Sequence, residues 1–456
     1  MTECTTGGIT FSSHGRRLVH ADFAGGAITS DAGGLLLREA DRRLGLAHRL
    51  SSCITDPREP SKIVHDQEIM LRQRILAIAL GYEDLNDHQS LRVDPALQLM
   101  AGAADTMASP PTLCRLENRV DRRSMWRMAE AIVDAFIASF NDVAGGPAEL
   151  TLDFDATDDR VHGKQEGRFF HAYYDSYCFL PLYVFCGEQL LAAYLRPSNI
   201  DASRHAWAIL SLLVKKLRRA WPSVRIIVRG DSGFCRWRML RWCERHAVSY
   251  IVGMARNSRL MTEAAPLVEA AREAFAREGG HVTQRVFGER TYAAGSWDTT
   301  RRIIVKAEHL PPPKTGAGGD GDGDEKANTR FVVTNLEGDP KRLYEDIYCA
   351  RGEMENRIKE QQLGLFADRT SCHKFAANQF RVLLSAAAYV LVEHVRRVGL
   401  ACTELARAQV TRIRLELFKI GARVVKSARR IVLHLTSACP GAAVFTLAAQ
   451  RLMAPT

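Results

Sequence analysis

Residues 225–234 read R-I-I-V-R-G-D-S-G-F, and they set one carboxylate where chemistry is commonly done. Ile226, Ile227 and Val228 form a short β-branched run that stops at Gly230-Asp231-Ser232-Gly233, the pattern of a buried strand ending in a tight turn. Such a strand carries Asp231 to the crevice beyond the strand ends, where open α/β sheets bind ligands, and a carboxylate there can hold a hard cation or steer a water. Asp-Ser-Gly also satisfies the backbone of a turn by itself, so Asp231 gains meaning only from partners. Residues 149–156 offer two: Leu150, Leu152 and Phe154 alternate with Thr151, Asp153 and Asp155, so both aspartates share one face of a strand. A further acid comes from a long helix expected from Asp339-Pro340 through Gln362. There Tyr348, Arg351, Glu355, Lys359 and Gln362 recur at three- and four-residue steps and line one face. An exposed, salt-bridged helix shows the same pattern.

The elements that must position these residues follow from periodicity and punctuation. Residues 1–146 read as a mainly helical region: 35–50 and 66–80 carry apolar residues at helical spacing, Ser30 and Asp31 offer caps, and Gly81 stops the second helix. Ser109-Pro110-Pro111-Thr112 opens another helix, whose Thr112, Arg115, Asn118 and Arg119 suit phosphates or base edges and equally a solvated face. Residues 141–147, N-D-V-A-G-G-P, mark a boundary. Strands are then expected at 169–174, 177–186 and 189–195, with Gly187-Glu188 as a hairpin turn. A helix over about 202–220 leads into the Asp231 strand, another over 236–246 leaves it, and 249–253 is a further strand. A meander followed by helix, strand, helix and strand is the order of a ribonuclease H-like mixed sheet flanked by helices, which places one carboxylate on its first strand and one on its fourth.

An insertion subdomain rich in strands occupies 258–336: a helix at 262–277, strands at 281–293, 301–307 and 330–335, and the loop 311–325. Asp320, Asp322 and Asp324 in that loop mimic the start of a calcium loop. Glu325 and Phe331 stand where Gly and a bidentate Glu are required, so it reads as a flexible acidic loop. The core is thus split into 147–257 and 337–400, followed by a basic C-terminal region at 401–456.

Composition bounds the partners. The chain has 456 residues, 46% of them hydrophobic, with a net charge of +10, which favours a polyanion. Arg412, Arg414, Lys419, Arg423, Lys426, Arg429 and Arg430 crowd one stretch. The apolar run 383–392 contains Ser385 and Tyr389 and is shorter than the roughly 18–20 residues of a membrane span, so no membrane partner is expected. The start Met1-Thr2-Glu3-Cys4 has no basic segment followed by an apolar one, and the eleven cysteines include no Cys-x2-Cys pair; both features fit a reducing, cytoplasmic setting. Cys235, Cys243 and His246 come nearest to a metal cluster, but their spacing fits no zinc module and core packing is expected.

Asp155, Asp231 and Glu355 in this order, with a long insertion between the last two, resemble the DDE transposases of bacterial insertion sequences. Tyr348-x2-Arg351-x3-Glu355 resembles the Tyr-Arg-Glu-Lys signature of one superfamily within them. The signature Lys falls at Gln362, with Lys359 one turn earlier. S-D-A-G-G-L-L-L-R-E from Ser30, G-Y-E-D-L-N-D-H from Gly81, H-G-K-Q from His162 and E-N-R-I-K-E from Glu355 are similar to blocks of one insertion-sequence group. The resemblance implies that Asp155, Asp231 and Glu355 are catalytic and hold two Mg²⁺ ions, for which Mn²⁺ can substitute. Two such ions roughly 3.5–4 Å apart activate a water and stabilise the leaving oxygen in phosphodiester cleavage. It further implies that Tyr348, Arg351 and Lys359 hold DNA phosphates, that the partners are double-stranded transposon ends and target, that the DNA complex contains a homodimer, and that the protein works at the bacterial nucleoid.

For the first acid, Asp153 and Asp155 remain alternatives; Asp155 lies nearer the strand end, and Asp155-Ala156-Thr157 resembles the family's Asp-x-Thr. Asp158, Asp159 and His162 read as loop residues. Trp297 resembles in placement an aromatic that receives a flipped base, although buried packing accounts for it as well. A structure-selective nuclease of the same fold, an inactive DNA-binding derivative and a hydrolase of small phosphate esters are the competing readings.

Overall fold

In the computed structural model, which describes residues 8–141, 143–311 and 326–454, Ile226, Ile227 and Val228 lie in the middle of a sheet built by alternation. The chain divides into two compact units, one of residues 1–131, 360–369 and 383–456, the other of 132–359 and 370–382.

The second unit carries the sheet. Its strands are β1 (Glu149–Ala156), β2 (Leu182–Cys186), β3 (Gln189–Tyr194), β4 (Arg225–Gly230), β5 (Ser249–Met254), β6 (Gln284–Tyr292), β7 (Arg301–Leu310) and β8 (Arg330–Thr334). Across the sheet they run β6-β7-β8-β5-β4-β1-β2-β3, with Lys326–Ala327 paired to β7. β1, β4 and β5 are parallel to one another, and β2 and β3 continue from β1 as antiparallel neighbours. The order β3-β2-β1-β4-β5, with those directions, is the ribonuclease H-like sheet. The inserted strands hydrogen-bond onto its edge: β8 is antiparallel to β5, and β7 to β8.

Period-two patterning separates two cores. Leu150, Leu152, Phe154, Ile226, Val228, Tyr250 and Val252 pack on one face with Leu210 and Leu217 of the helix Ala206–Ala220, Met239 and Leu240 of Trp237–Arg245, and Leu260 of Ser258–Arg277. Each such side chain contributes about 1.5–3 kcal/mol on burial. On the other face Ile227, Ile251, Ile304 and Val332 meet Leu343 and Tyr344. Strand parity therefore leaves Asp153, Asp155 and Arg229 on this second face.

One expected strand is really two. The stretch 177–186 breaks at Leu180-Pro181, and Ser176–Phe179 joins Asp159–Arg160 and Phe169–His171 in a separate three-stranded sheet, while β2 joins the main one. Pro181 has no N–H to give a ladder, so pairing changes hands there. Asp159 is accordingly not a loop residue: it is buried and accepts a hydrogen bond from Thr370 Oγ1 at 2.8 Å.

The first unit is helical over Leu35–Leu44, Leu46–Ser52, Gln67–Leu80, Pro95–Ala101 and Pro110–Arg119. Asp66 caps Gln67–Leu80 by accepting from the Glu68 and Ile69 amides, and Gly81 ends it at φ +101°, a conformation that favours glycine. The first residues differ from the expected helical region: Ile9–His14 and Arg17–Ala21 form an antiparallel hairpin. The Ser30 and Gly81 blocks meet the basic stretch, since Asp31 accepts from Tyr82 Oη at 2.7 Å and pairs with Lys419 at 2.5 Å. A Cβ on Gly33 would lie 1.7 Å from the Leu417 carbonyl oxygen, so only glycine fits there.

The segment Phe375–Gly399 is long and apolar enough to cross a membrane by length and composition, with 83% of its apolar window buried inside the protein, as in an all-round apolar core helix. The acidic loop around Asp320, Asp322 and Asp324 and the first residues Met1 to Cys4 lie outside the described residues.

Candidate active site

Register brings the two aspartates level. Arg229 stands opposite Asp153 and Gly230 opposite Phe154 in the parallel β4–β1 pair, so Asp231 and Asp155 leave adjacent strand ends on one face. Asp231 is extended, with φ −75° and ψ −175°, and its Oδ1 accepts from the Gly233 amide at 2.9 Å, capping the turn Ser232–Phe234. Turn chemistry and site placement coexist in this residue.

The segment bearing Tyr348, Arg351 and Glu355 departs from the regular helix expected. It passes through a widened turn at Leu343–Tyr348 and a tightened one at Cys349–Arg351 before the α-helix Gly352–Lys359. Widened turns of this kind recur at functional sites. Arg351 donates to Asp155 Oδ2 at 3.0 Å and reaches Glu355 Oε1 at 3.5 Å. One guanidinium thus bridges two carboxylates. Asp155 and Arg351 are mostly covered, whereas the Glu355 side chain is 54% exposed.

Burial pushes the Asp155 carboxyl up to about 6; Arg351 opposes that rise, and the charges of Asp231 and Glu355 add to it. Asp155, Asp231 and Glu355 therefore share one electrostatic neighbourhood. Burial also raises the Tyr348 hydroxyl. Burial works against charge on Arg351, yet Asp155 and its neighbours hold the guanidinium above its ordinary range.

Asp153 has a different occupation. It is 2% exposed, and Arg229 clamps both its oxygens, at 2.5 and 2.7 Å, while donating to the Ile347 carbonyl at 2.6 Å. The buried pair ties the sheet to the residue before Tyr348. Arg229 was open to inference from sequence: a charge inside an apolar strand must find a partner.

A second unforeseen residue is Gly253, at the end of β5. A Cβ there would lie 2.6 Å from Tyr348 Oη and 2.9 Å from the Ser232 amide nitrogen. Glycine in a strand marks such close approaches. Gly253→Ala is expected to displace Tyr348 or the Asp231 turn, and to lower the DNA cleavage that the sequence resemblance implies by about tenfold or more, a cost of the kind small misplacements near reacting groups incur. Cleavage rates of this variant, measured well below its own thermal midpoint, check it, since overpacking of this kind also costs about 1–3 kcal/mol of stability.

The remaining candidates divide. Glu353 is exposed, and its charge acts on Asp153. Lys359 is exposed at the helix end; Gln362 falls in the first unit. Trp297 packs on the core with Tyr292 edge-on at 6.0 Å and Arg301 over its ring at 5.2 Å. Cys243 is buried in the same core and the His246 ring stacks on Trp242. In the first unit, Arg119 pairs with Asp56 and Arg115 is exposed. The C-terminal basic stretch is not one uniform surface. Arg412 pairs with Glu416, Lys419 pairs with Asp31, and Arg414 donates to the Gly364 carbonyl at 2.6 Å. Arg423, Lys426, Arg429 and Arg430 remain exposed on the hairpin of Ala422–Lys426 and Ile431–Leu435.

As a donor set, three carboxylates without thiol or imidazole suit a hard divalent cation. Among the described residues no three acidic, His or Cys side chains form a ready metal cluster; Asp155 and Glu355 face a cation already, the guanidinium of Arg351. The residues fit such an ion in chemistry and charge.

The family model described as Transposase DDE domain group 1 matches residues 11–455, and the chain belongs to that family. No curated protein matches it. Among solved structures it is similar to the piggyBac transposase synaptic complex with hairpin DNA, at 11% identity and a TM-score of 0.38, over 94% of this chain and 83% of that one. At that score the family match and the strand order carry the assignment.

Proposed function

We propose that this transposase binds the terminal inverted repeats of a bacterial insertion sequence, cleaves DNA at the ends and joins the 3′ ends to target DNA. The observation that carries the reading is the bridge from Asp155 through Arg351 to Glu355, at the strand end beside Asp231. Asp155, Asp231 and Glu355 would hold divalent ions, Mg²⁺ with Mn²⁺ as substitute, and two bound ions would supply an activated water and a stabilised leaving oxygen. Arg351 presents a guanidinium fork that suits phosphate, with Tyr348 as a hydroxyl donor and Lys359 as an outer positive charge. Arg423, Lys426, Arg429 and Arg430, free of carboxylates on their hairpin, suit sequence-independent contact with duplex phosphates. A homodimer would bring two ends together.

The test is a joining assay with labelled end DNA and a target plasmid, with and without Mg²⁺. Metal-dependent cleavage followed by covalent transfer of the 3′ end supports the proposal. Cleavage with release of free products would make the protein a nuclease instead, and activity undiminished in chelator would remove the metal ions from the account.

A further inference from the structure

The helix Trp237–Arg245 begins just after the turn that Asp231 caps, and its two sides differ sharply. Met239, Leu240 and Cys243 are buried, whereas Arg238 and Arg245 are exposed and Trp237, Arg241 and Trp242 are half-buried. Beside it, the first turn of the helix Ala206–Ala220 presents Trp207, which is 50% exposed. A groove of about 630 Å³ runs between them, lined chiefly by Trp207, Trp237, Trp242, Arg204, Arg238 and Arg245. No carboxylate lines it among the described residues. Arg236 and Arg241, also on its wall, are answered by Asp201 at 2.6 Å and Asp298 at 3.3 Å. Arg204, Arg238 and Arg245 have no ion pair among the described residues.

Half of the chain's six tryptophans thus stand in one cationic groove. Core packing accounts in part for Trp242, but not for Trp207, whose indole is left half in water. The faces already take planar partners: His246 stacks on Trp242 with ring centroids 4.3 Å apart and an 18° tilt, and the Arg238 guanidinium lies 5.4 Å from the Trp237 ring. Aromatic faces interleaved with unpaired guanidiniums are what a nucleic-acid strand requires, bases stacking on the rings and phosphates meeting the arginines. Bases in a duplex are stacked on each other, so exposed indole faces select unpaired nucleotides.

We propose that this groove binds an unpaired DNA strand. The inference rests on the reading that the chain acts on DNA, and it adds a second site, separate from the three acids and reading base faces.

The test measures anisotropy of a labelled oligothymidylate of about 15 nucleotides, near the upper range of single-strand site sizes, and of a blunt duplex of the same length, on the full chain. The oligothymidylate should quench tryptophan fluorescence. Trp207→Ala should weaken its binding roughly tenfold, the loss of about one stacked base, with duplex affinity kept within about twofold. Arg238→Gln, on an exposed position, should weaken it without altering the thermal midpoint and serves where the Trp variant is unstable. Unchanged oligothymidylate binding in both variants, an equal fall in duplex binding, or equally effective competition by polyglutamate would overturn the proposal. If the wild-type protein cleaves and joins ends yet does not bind oligothymidylate, the groove assignment fails alone. If it binds oligothymidylate through Trp207 but joins no ends, the transposition reading fails and the groove stands.

Discussion

Asp155→Asn is expected to abolish end cleavage while leaving the protein folded, and Asp153→Asn to do nearly the reverse. The two aspartates share a strand face, but their surroundings ask different things of them. Asp155 meets Arg351 at 3.0 Å and feels the charges of Asp231 and Glu355. Asparagine keeps its shape and loses the charge that would hold a cation, so cleavage should fall by at least about a hundredfold, the scale on which one preorganised charge at a reacting centre is felt. Stability should change little, because losing the Arg351 pair is offset by removing one of three like charges.

Asp153, by contrast, neutralises a guanidinium that is itself buried. Arg229 is 9% exposed, and breaking such a pair by removing one partner costs about 3–5 kcal/mol. For a unit of this size that lowers the thermal midpoint by roughly 6–20 °C. Activity measured well below the lowered midpoint should remain, reduced to the extent that Arg229 no longer steadies the Ile347 carbonyl beside Tyr348. Thermal melts and cleavage rates of both variants check this. A stable, inactive Asp153 variant beside an active Asp155 variant would move the first acid by one pleat.

The strands that matter were legible because alternation and turn residues are local signals. Leu150, Leu152 and Phe154 do face the core opposite Asp153 and Asp155, and β4 does end at Gly230 before a turn capped by Asp231. What separates Asp153 from Asp155 was not legible, since it lies in Arg229 on a neighbouring strand, and sequence spacing carries no register between them. The basic stretch misled for a related reason. Charge counting cannot see that Lys419 belongs to Asp31, far earlier in the chain, or that Arg414 is spent on backbone carbonyls. Nor could periodicity show that the turns at Leu343–Arg351 widen and then tighten, because the apolar spacing of that stretch is compatible with a regular helix. Gly253 was signalled, as a glycine closing a buried strand, without any indication of what approaches it.

The site's most direct test lies on the helix Gly352–Lys359, where two glutamates differ in what they address. Glu355 is joined through Arg351 to Asp155, while Glu353 is exposed and acts on Asp153, a charge already matched by Arg229. Glu355→Gln should therefore lose both end cleavage and 3′-end joining by at least about a hundredfold. Gel-shift affinity for terminal-repeat DNA should stay within a small factor, since the substitution removes a negative charge and no phosphate contact. Glu353→Gln should cleave at close to the wild-type rate, as an exposed helix charge contributes about 1 kcal/mol at most. Both variants are to be measured for binding and cleavage in parallel: an inactive Glu355→Gln that still binds ends, beside an active Glu353→Gln, is the expected result, and an active Glu355→Gln would contradict the assignment of Asp155, Asp231 and Glu355 as the catalytic acids.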